Sequence, residues 1–501
     1  MKRPTRRDFL KYSAIGAGTV GASLVIASLG IKSAAMAADG GVVGHGPNPP
    51  RNPWPRAEYI KASVRRPRFR NRWYDVTDHG AVGDGTTDDT AAFRAAIAAC
   101  HAAGGGHVTV PQGSFLTGPI HLLSNVDLHV TENARIVFSQ NPSDYLPAVL
   151  TRFEGVELYN YSPLIYAYQQ HNIAVTGSGV LDGQADNQHW WPWKGNKDYG
   201  WSPGDPTQFP ARTRLFDMAD AGVPVEQRQF GDGDYLRSSF IEPYRCSDVL
   251  IEGVTIVNSP MWELHPTLSD HVLIDGVTVN SHGPNNDGCD PESSRMVVIR
   301  NCSFDTGDDC IAIKSGRNTD GRRVNVPSED ILVEDCQMHD GHGGVTIGSE
   351  MSGGVRNVFA RSCEMSSPNL DVALRFKTNS VRGGFINGFY ARDIAVGQVA
   401  QAVISIDFYY QSGTDITGPG HGFNPDVSNI NVERMTVVSA KQSLYLRGYP
   451  EDHIRNVRLT DVDFGHTSAP PTVEYVDGLV LDHVTENGQP LQIASAAAAA
   501  A

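Results

Sequence analysis

Positive charge is scarce in this chain, and so are long apolar runs. Over 501 residues, 41 Lys and Arg stand against 56 Asp and Glu. Residues 1–37 read as a removable leader, and without them 35 basic and 55 acidic side chains remain, a formal charge near −20. Such a surface argues against nucleic acid as a partner and repels polyanions except where cations are placed locally. Only the uncharged stretch from Tyr12 to Ile31 is long enough to cross a bilayer, and its four glycines make it a poor anchor. No CxxC pair or spaced His pair accompanies the seven cysteines, so no zinc site is indicated. The acidic, glycine-bearing segment from Asp78 to Asp89 is followed by no Gly-Lys-Ser/Thr, which removes a phosphate-binding loop. No helix-period pattern competes with the strand phrases of the second half. Gly and Pro make up 81 residues and charge is ordinary in amount, so the chain is globular and not disordered.

What the leader contains is an export signal. Thr5-Arg6-Arg7-Asp8-Phe9-Leu10-Lys11 carries a twin arginine, and the uncharged stretch runs on to Ala35-Met36-Ala37, after which cleavage is expected. The expectation is export by the twin-arginine route to the periplasm or beyond the cell, with no stable membrane association after cleavage; a retained anchor is the alternative. An N-terminal extension follows at 38–75, then a single elongated domain at 76–490 and a low-complexity alanine tail at 491–501.

The second half repeats a short phrase, a strand closed by a turn and followed by a second strand. It stands at Ile251-Glu-Gly-Val-Thr-Ile256, Ile274-Asp-Gly-Val-Thr-Val279, Ile299-Arg-Asn-Cys-Ser-Phe304, Val333-Glu-Asp-Cys-Gln-Met338 and Ala360-Arg-Ser-Cys-Glu-Met365. Fainter copies run from Ala391, Val432, Leu459 and Leu481. The shortest intervals are 22 to 25 residues, the signature of a solenoid whose coils bury a core only by stacking. Positions one, four and six are mostly apolar. Cys302, Cys336 and Cys363 share position four, which predicts a buried stack of small hydrophobes in place of a disulfide framework.

Four polar clusters fall at similar phases of this repeat: Asn285-Asn286-Asp287, Asp308-Asp309, Gly341-His342-Gly343 and Arg375-Phe376-Lys377. Counted from the start of their phrases, Asp287 lies 13 residues on, Asp309 10, His342 9 and Arg375 15. Successive parallel strands are about 4.8 Å apart, so these side chains are expected to meet on one face once turn lengths are allowed for. Singly, each cluster is an ordinary turn or a solvated strand face. Their shared phase is what makes coincidence improbable.

Two other segments carry expectations. An Ala-rich helix from Thr90 to Ala102, capped by Thr87 or Asp88 and stopped by Gly104-Gly105-Gly106, is expected to cover the open end of the hydrophobic column. A long insertion, about Gln184 to Asp234, holds Trp190, Trp191, Trp193 and Trp201. Such aromatic faces stack on sugar rings, although a loop of this length also needs a small core of its own.

The phrases Gly283-Pro-Asn-Asn-Asp-Gly-Cys-Asp-Pro291, Gly307-Asp-Asp-Cys-Ile-Ala-Ile-Lys-Ser-Gly316, Gly341-His-Gly-Gly344 and Arg375-Phe-Lys377 resemble, in order, the four signature blocks of glycoside hydrolase family 28, the polygalacturonases. The likeness runs from about Asp78 to Asp482. It implies an all-β, right-handed parallel β-helix and an inverting hydrolase of α-1,4-galacturonosyl linkages that needs no cofactor or metal. By resemblance, Asp308 is the general acid, Asp287 and Asp309 hold the attacking water, and His342 supports their protonation. Arg375 and Lys377 grip a sugar carboxylate, with Asn285 and Tyr410 as further substrate contacts and Tyr409 the alternative to Tyr410. Two departures stand out, Asn286 where the family has Thr and Phe376 where it has Ile, and both put substrate detail in question more than chemistry. The expected partner is acidic plant cell-wall polysaccharide, pectin or oligogalacturonides, acted on by a monomer.

Residue chemistry agrees with this reading, since glycoside hydrolysis needs one carboxylic acid and one carboxylate, and crowded carboxylates separate their own proton affinities. The insertion is long enough to wall off one end of the cleft, which predicts attack from a chain terminus. The competing readings are a rhamnogalacturonan or xylogalacturonan hydrolase, a pectate-lyase-like enzyme needing calcium, and a noncatalytic carbohydrate-binding β-helix.

Overall fold

A computed structural model describes residues 52–411 and 418–493, which belong to one compact unit. The expected leader and nearly all of the alanine tail lie outside the described residues.

The repeated phrase folds into stacked coils with parallel pairing throughout. One ladder joins Ser247–Glu252, Asp270–Asp275, Arg295–Arg300, Ser328–Glu334 and Val355–Arg361, and continues through Phe385–Gln398, Asp426–Ala440, Ile454–Thr467 and Val480–Glu486. The register keeps phrase starts side by side: Ile251 pairs with Ile274, Ile274 with Ile299, and Ile299 with Val333. A second ladder holds the second halves of the phrases, as in Thr255–Val257, Thr278–Ser281 and Ser303–Thr306. A third is a separate sheet of Ile311–Ile313, Gly341–Ile347, Leu370–Lys377, Ala402–Asp407, Gln442–Arg447 and Thr472–Glu474. Three faces around one apolar interior make this a parallel β-helix.

The turn between the first two ladders has a strict cause. The third residue of every phrase has a left-handed backbone: Gly253, Gly276, Asn301, Asp335, Ser362, Asp393, Arg434, Asp461 and His483, with φ between 52° and 74°. Only the first two are glycine, and Asn and Asp tolerate this region better than other side chains. A second left-handed position, three residues before each phrase, was not anticipated. It falls on Asp248, His271, Met296, Asp330, Asn357, Gly388, Asn429, Asn456 and Gly478. The recurrence of Asp, Asn and Gly at that spacing was the available signal.

Positions one, four and six point inward. Val254, Val277, Cys302, Cys336 and Cys363 are buried in one continuous core with Ile274, Ile299 and Phe304. All seven cysteines are unpaired and buried, and the Cys336 thiol is pushed well up by burial, with Cys302 and Cys363 beside it.

Helix α1 (Trp54–Ser63) lies within the stretch assigned as an extension and was not foreseen. Its Trp54, Ala57 and Ile60 pack on Leu273, Val298, Leu332 and Phe359, on the outer surface of the first ladder. The ladder also starts earlier than expected, because Trp73–Asp75 already pairs with Gly106–Val110. Helix α2 (Thr90–Ala102) occupies the predicted residues, with Phe93, Ala96, Ile97 and Cys100 buried in the main core. Its N-cap position is Asp89, whose carboxylate accepts from the amides of Val82 and Gly83, tying the preceding turn. Asp88 accepts from the Thr90 amide, whereas the Thr87 hydroxyl is spent on Asp84. Past the helix, Gly105 at φ +99° donates its amide to the Cys100 carbonyl.

Candidate active site

The third sheet builds the site by alternation. Along Leu370–Lys377, Arg375 pairs with Thr346 and Ser405, and Lys377 with Asp407, while Phe376 between them is buried against Phe389 in the core. Period-two geometry puts Arg375 and Lys377 on the outer face together. One coil earlier, the backbone of Asp309 is bonded to Gly288, and that of Asp308 to Asn286 and His342. The unequal phases counted in sequence are absorbed by these turns.

Carboxylate oxygens of Asp287, Asp308 and Asp309 all lie within 4.8 Å of one another. Such a trio has the geometry to hold a cation, but ammonium groups already sit against it. Lys377 Nζ is 2.5 Å from Asp309 Oδ2, and Lys314 Nζ is 3.3 Å from Asp287 Oδ2. Lys314 Nζ also lies 3.4 Å from Asp290 and 3.5 Å from Glu350. Arg375 reaches the His342 carbonyl at 3.0 Å and Asp309 at 3.5 Å, and Thr346 donates to Asp309 at 3.0 Å. His342 Nδ1 is 3.0 Å from Asp308 Oδ1. Asp287 and Asp309 are buried, whereas His342, Asp308 and Arg375 keep an open side.

These surroundings separate the protonation of the three acids. Burial first, then the charges of Asp308 and Asp309, push Asp287 up to about 7, and Lys314 and Lys377 only partly offset this. Burial also opposes ionisation of Asp308, but His342, Lys377 and Lys314 outweigh it and hold that carboxyl far below its usual range. Its partner His342 is raised to about 9, chiefly by the Asp308 charge. Glu263 and Asp290, behind the trio, are raised well above the carboxylate range by burial and by Asp287. In the empty site the proton therefore rests on Asp287 and not on Asp308.

The structure brings every predicted site residue into one region, with some unexpected partners. Tyr410 places its ring 5.2 Å from Lys377 Nζ and 5.7 Å from Arg375 Cζ, whereas Tyr409 packs on Tyr449 and Arg447. Asn285 is held by cations: its Oδ1 accepts from Lys194 Nζ at 2.7 Å and Arg237 Nη2 at 2.9 Å, and its Nδ2 faces Asp308 at 3.5 Å. The two departures from the family blocks are internal. Asn286 is fully buried, accepting from Ser281 and Gly283 and donating to the carbonyls of Ser259 and Met261. With Phe376 also facing the core, neither departure meets the cleft, so the expectation that they bear on substrate detail is set aside.

Sequence reasoning missed Lys314, Asp290, Lys194 and Arg237. Lys314 and Asp290 stand inside the quoted blocks, and Lys314 continues the outward row of Glu292, so alternation along the strand was a usable signal. Lys194 and Arg237 come from loops and had none. Lys194 is delivered by the tryptophan-bearing insertion, whose Trp191 donates to the Ser259 carbonyl at 2.8 Å. Trp190 is buried among Tyr145, Tyr161 and Trp193, and helix α3 (Phe209–Asp220) packs Ala211 and Leu215 on Phe153, Leu158 and Trp262. The insertion thus has its own core.

Comparison with known proteins follows the same lines. Residues 235–479 match the model of the glycosyl hydrolases family 28, and residues 73–132 match that described as rhamnogalacturonase A/epimerase, pectate lyase-like. Residues 1–29 match a TAT signal model, that of the ubiquitinol-cytochrome C reductase Fe-S subunit, which supports export. A hyperthermoactive exopolygalacturonase from Thermotoga maritima is 46% identical, with a TM-score of 0.81 over 85% of this chain and 96% of that one. A probable polygalacturonase of Vitis vinifera is 27% identical over 77% of this chain and 73% of its own length. An exo-poly-alpha-D-galacturonosidase of Dickeya chrysanthemi is 27% identical over 72% of this chain and 62% of its own. On these grounds the chain belongs to the glycosyl hydrolases family 28 and is a glycosidase on a parallel β-helix.

Proposed function

We propose that the enzyme hydrolyses α-1,4-galacturonosyl linkages of polygalacturonate, removing sugar from a chain end with inversion at the anomeric carbon. The observation that carries this reading is the carboxylate trio within 4.8 Å, bordered on its open side by Arg375, Lys377 and Tyr410. Three acids supply acid and base, and the adjoining cations suit a sugar that itself bears a carboxylate. The polygalacturonase names of the relatives support the same substrate.

In the reaction Asp308 donates its proton to the glycosidic oxygen as the bond from that oxygen to C1 breaks. A water held by Asp287 and Asp309 attacks C1 from the other side and gives up its proton to that pair. Asp308 is ionised in the empty site, so the proton must reach it when substrate binds. A galacturonate carboxylate beside Arg375 and Lys377 provides the cause, because it offsets the cations that keep Asp308 charged. His342, hydrogen-bonded to Asp308, holds its orientation.

Two carboxyl groups this close usually go with retention, since inverting pairs stand roughly 6.5–9.5 Å apart. Inversion here depends on a water shared by two acids. Proton NMR of the first products decides it: the β-anomer is expected, and the α-anomer would make Asp287 or Asp309 a nucleophile. Attack from a chain end is supported by the insertion, which places Lys194 against Asn285 beside the trio. A digest of polygalacturonate, run beside rhamnogalacturonan and xylogalacturonan, tests the whole reading. Early monomer or dimer from polygalacturonate alone is expected. A ladder of oligomers removes terminal attack, faster cleavage of either other polymer reassigns the substrate, and unsaturated ultraviolet-absorbing products remove hydrolysis.

A further inference from the structure

On a different sheet from the trio, the N-terminal segment roofs an open groove of about 510 Å³ lined by Arg66, Phe69, Trp73, His107, Asp127 and His129, among others. The segment is unusual for so acidic a protein. Residues 65–72 contain five arginines, and no acid occurs between Glu58 and Asp75. Arg66 is paired with Glu252 and Asp275. Arg65, Arg68, Arg70 and Arg72 are exposed, and among the described residues none of them pairs with a carboxylate; Arg70 and Arg72 bond only the Ala103 carbonyl.

The floor of the groove is built and not incidental. Buried Asp127 accepts from His107 Nδ1 at 2.7 Å and from the Thr176 hydroxyl at 2.8 Å, and that hydroxyl accepts from His129 Nδ1 at 2.8 Å. With Nδ1 of each ring so engaged, each Nε2 is left for another partner. Trp73 stacks on His107 at 4.3 Å with rings 18° apart, and 55% of its surface is exposed. An open indole face beside imidazoles and arginines has the elements of a sugar platform with anion recognition.

We propose that this groove is a noncatalytic binding site for an acidic polysaccharide chain, through which the enzyme holds polygalacturonate while the cleft trims it. The choice of ligand rests on the proposed substrate of the cleft. Charge complementarity favours a polyanion at this one basic segment, and the exposed indole favours a sugar over other polyanions.

The test separates the two sites. In the Asp308→Asn background, retention in gels containing polygalacturonate is compared with and without Trp73→Ala and Arg68→Ala. A loss of about five-fold or more is expected. With Asp308 intact, the same two substitutions leave kcat/KM on trigalacturonate within about two-fold and raise KM on the polymer. Arg65→Glu with Arg68→Glu, both at surface side chains, gives the same loss without touching the aromatic stack. Unchanged retention in both variants overturns the proposal, and so does equal retention by gels containing DNA or neutral galactan. If trigalacturonate is not cleaved while groove-dependent retention persists, the reading of the cleft falls and the groove stands.

Discussion

Cations occupy two surfaces of this solenoid under opposite rules. In the cleft Lys314, Lys377 and Arg375 each have an acid within 3.5 Å, and both lysines are buried. In the N-terminal groove four arginines stand exposed without a carboxylate partner. Buried, paired charges set protonation and position at low effective dielectric, whereas exposed ones act as a field that salt screens. The same residue types therefore tune chemistry in one place and attract a polymer in the other.

The comparison is most exposed to failure at Asp308. Asp308→Asn keeps shape but cannot donate a proton, and should lower kcat/KM on trigalacturonate by about 10³-fold or more with thermal stability retained. Substantial residual turnover would move the acid role to another group. Lys377→Met leaves Asp309 buried without its ammonium and should cost about 10²-fold in kcat/KM. It should weaken binding of acidic sugars more than neutral ones, and an equal loss on both would confine Lys377 to a structural partner of Asp309.

A smaller effect concerns pH. Asp287 is raised to about 7, so it carries the cluster's proton below that pH and loses it above. If that proton is the one passed to Asp308, kcat/KM falls as pH rises through about 7. Lys314 lowers the proton affinity of Asp287, so Lys314→Met should move this alkaline limb to higher pH, as measured by kcat/KM profiles of both proteins. An unmoved limb would separate Asp287 from the catalytic proton. The smallest effect should come from salt. Raising ionic strength from about 0.05 to 0.5 M should weaken polymer retention several-fold through the groove while trigalacturonate turnover changes little. Parallel losses in both would erase the contrast between the two surfaces.

Much of the architecture could be read before any coordinates. The phrase register placed Ile251, Ile274 and Ile299 side by side, and α2 begins and ends where its alanines and glycines indicated. Helix α1 escaped notice because its Trp54, Ala57 and Ile60 form too weak a pattern to read without the surface they cover. The eight candidate site residues meet because a 22-to-25-residue repeat converts phase into location.

Repetition and residue type thus suffice for the parallel β-helix, its inward rows and the identity of the acids. They do not suffice for which acid holds the proton, since that depends on burial and on through-space charges from Lys314, Lys377 and His342. Nor do they suffice for Lys194, Arg237 or the groove at Trp73, which arise where non-repeating loops fold back on the coils. Local patterns act between near neighbours in sequence, whereas protonation and clefts are set by neighbours in space, and only the folded chain has those.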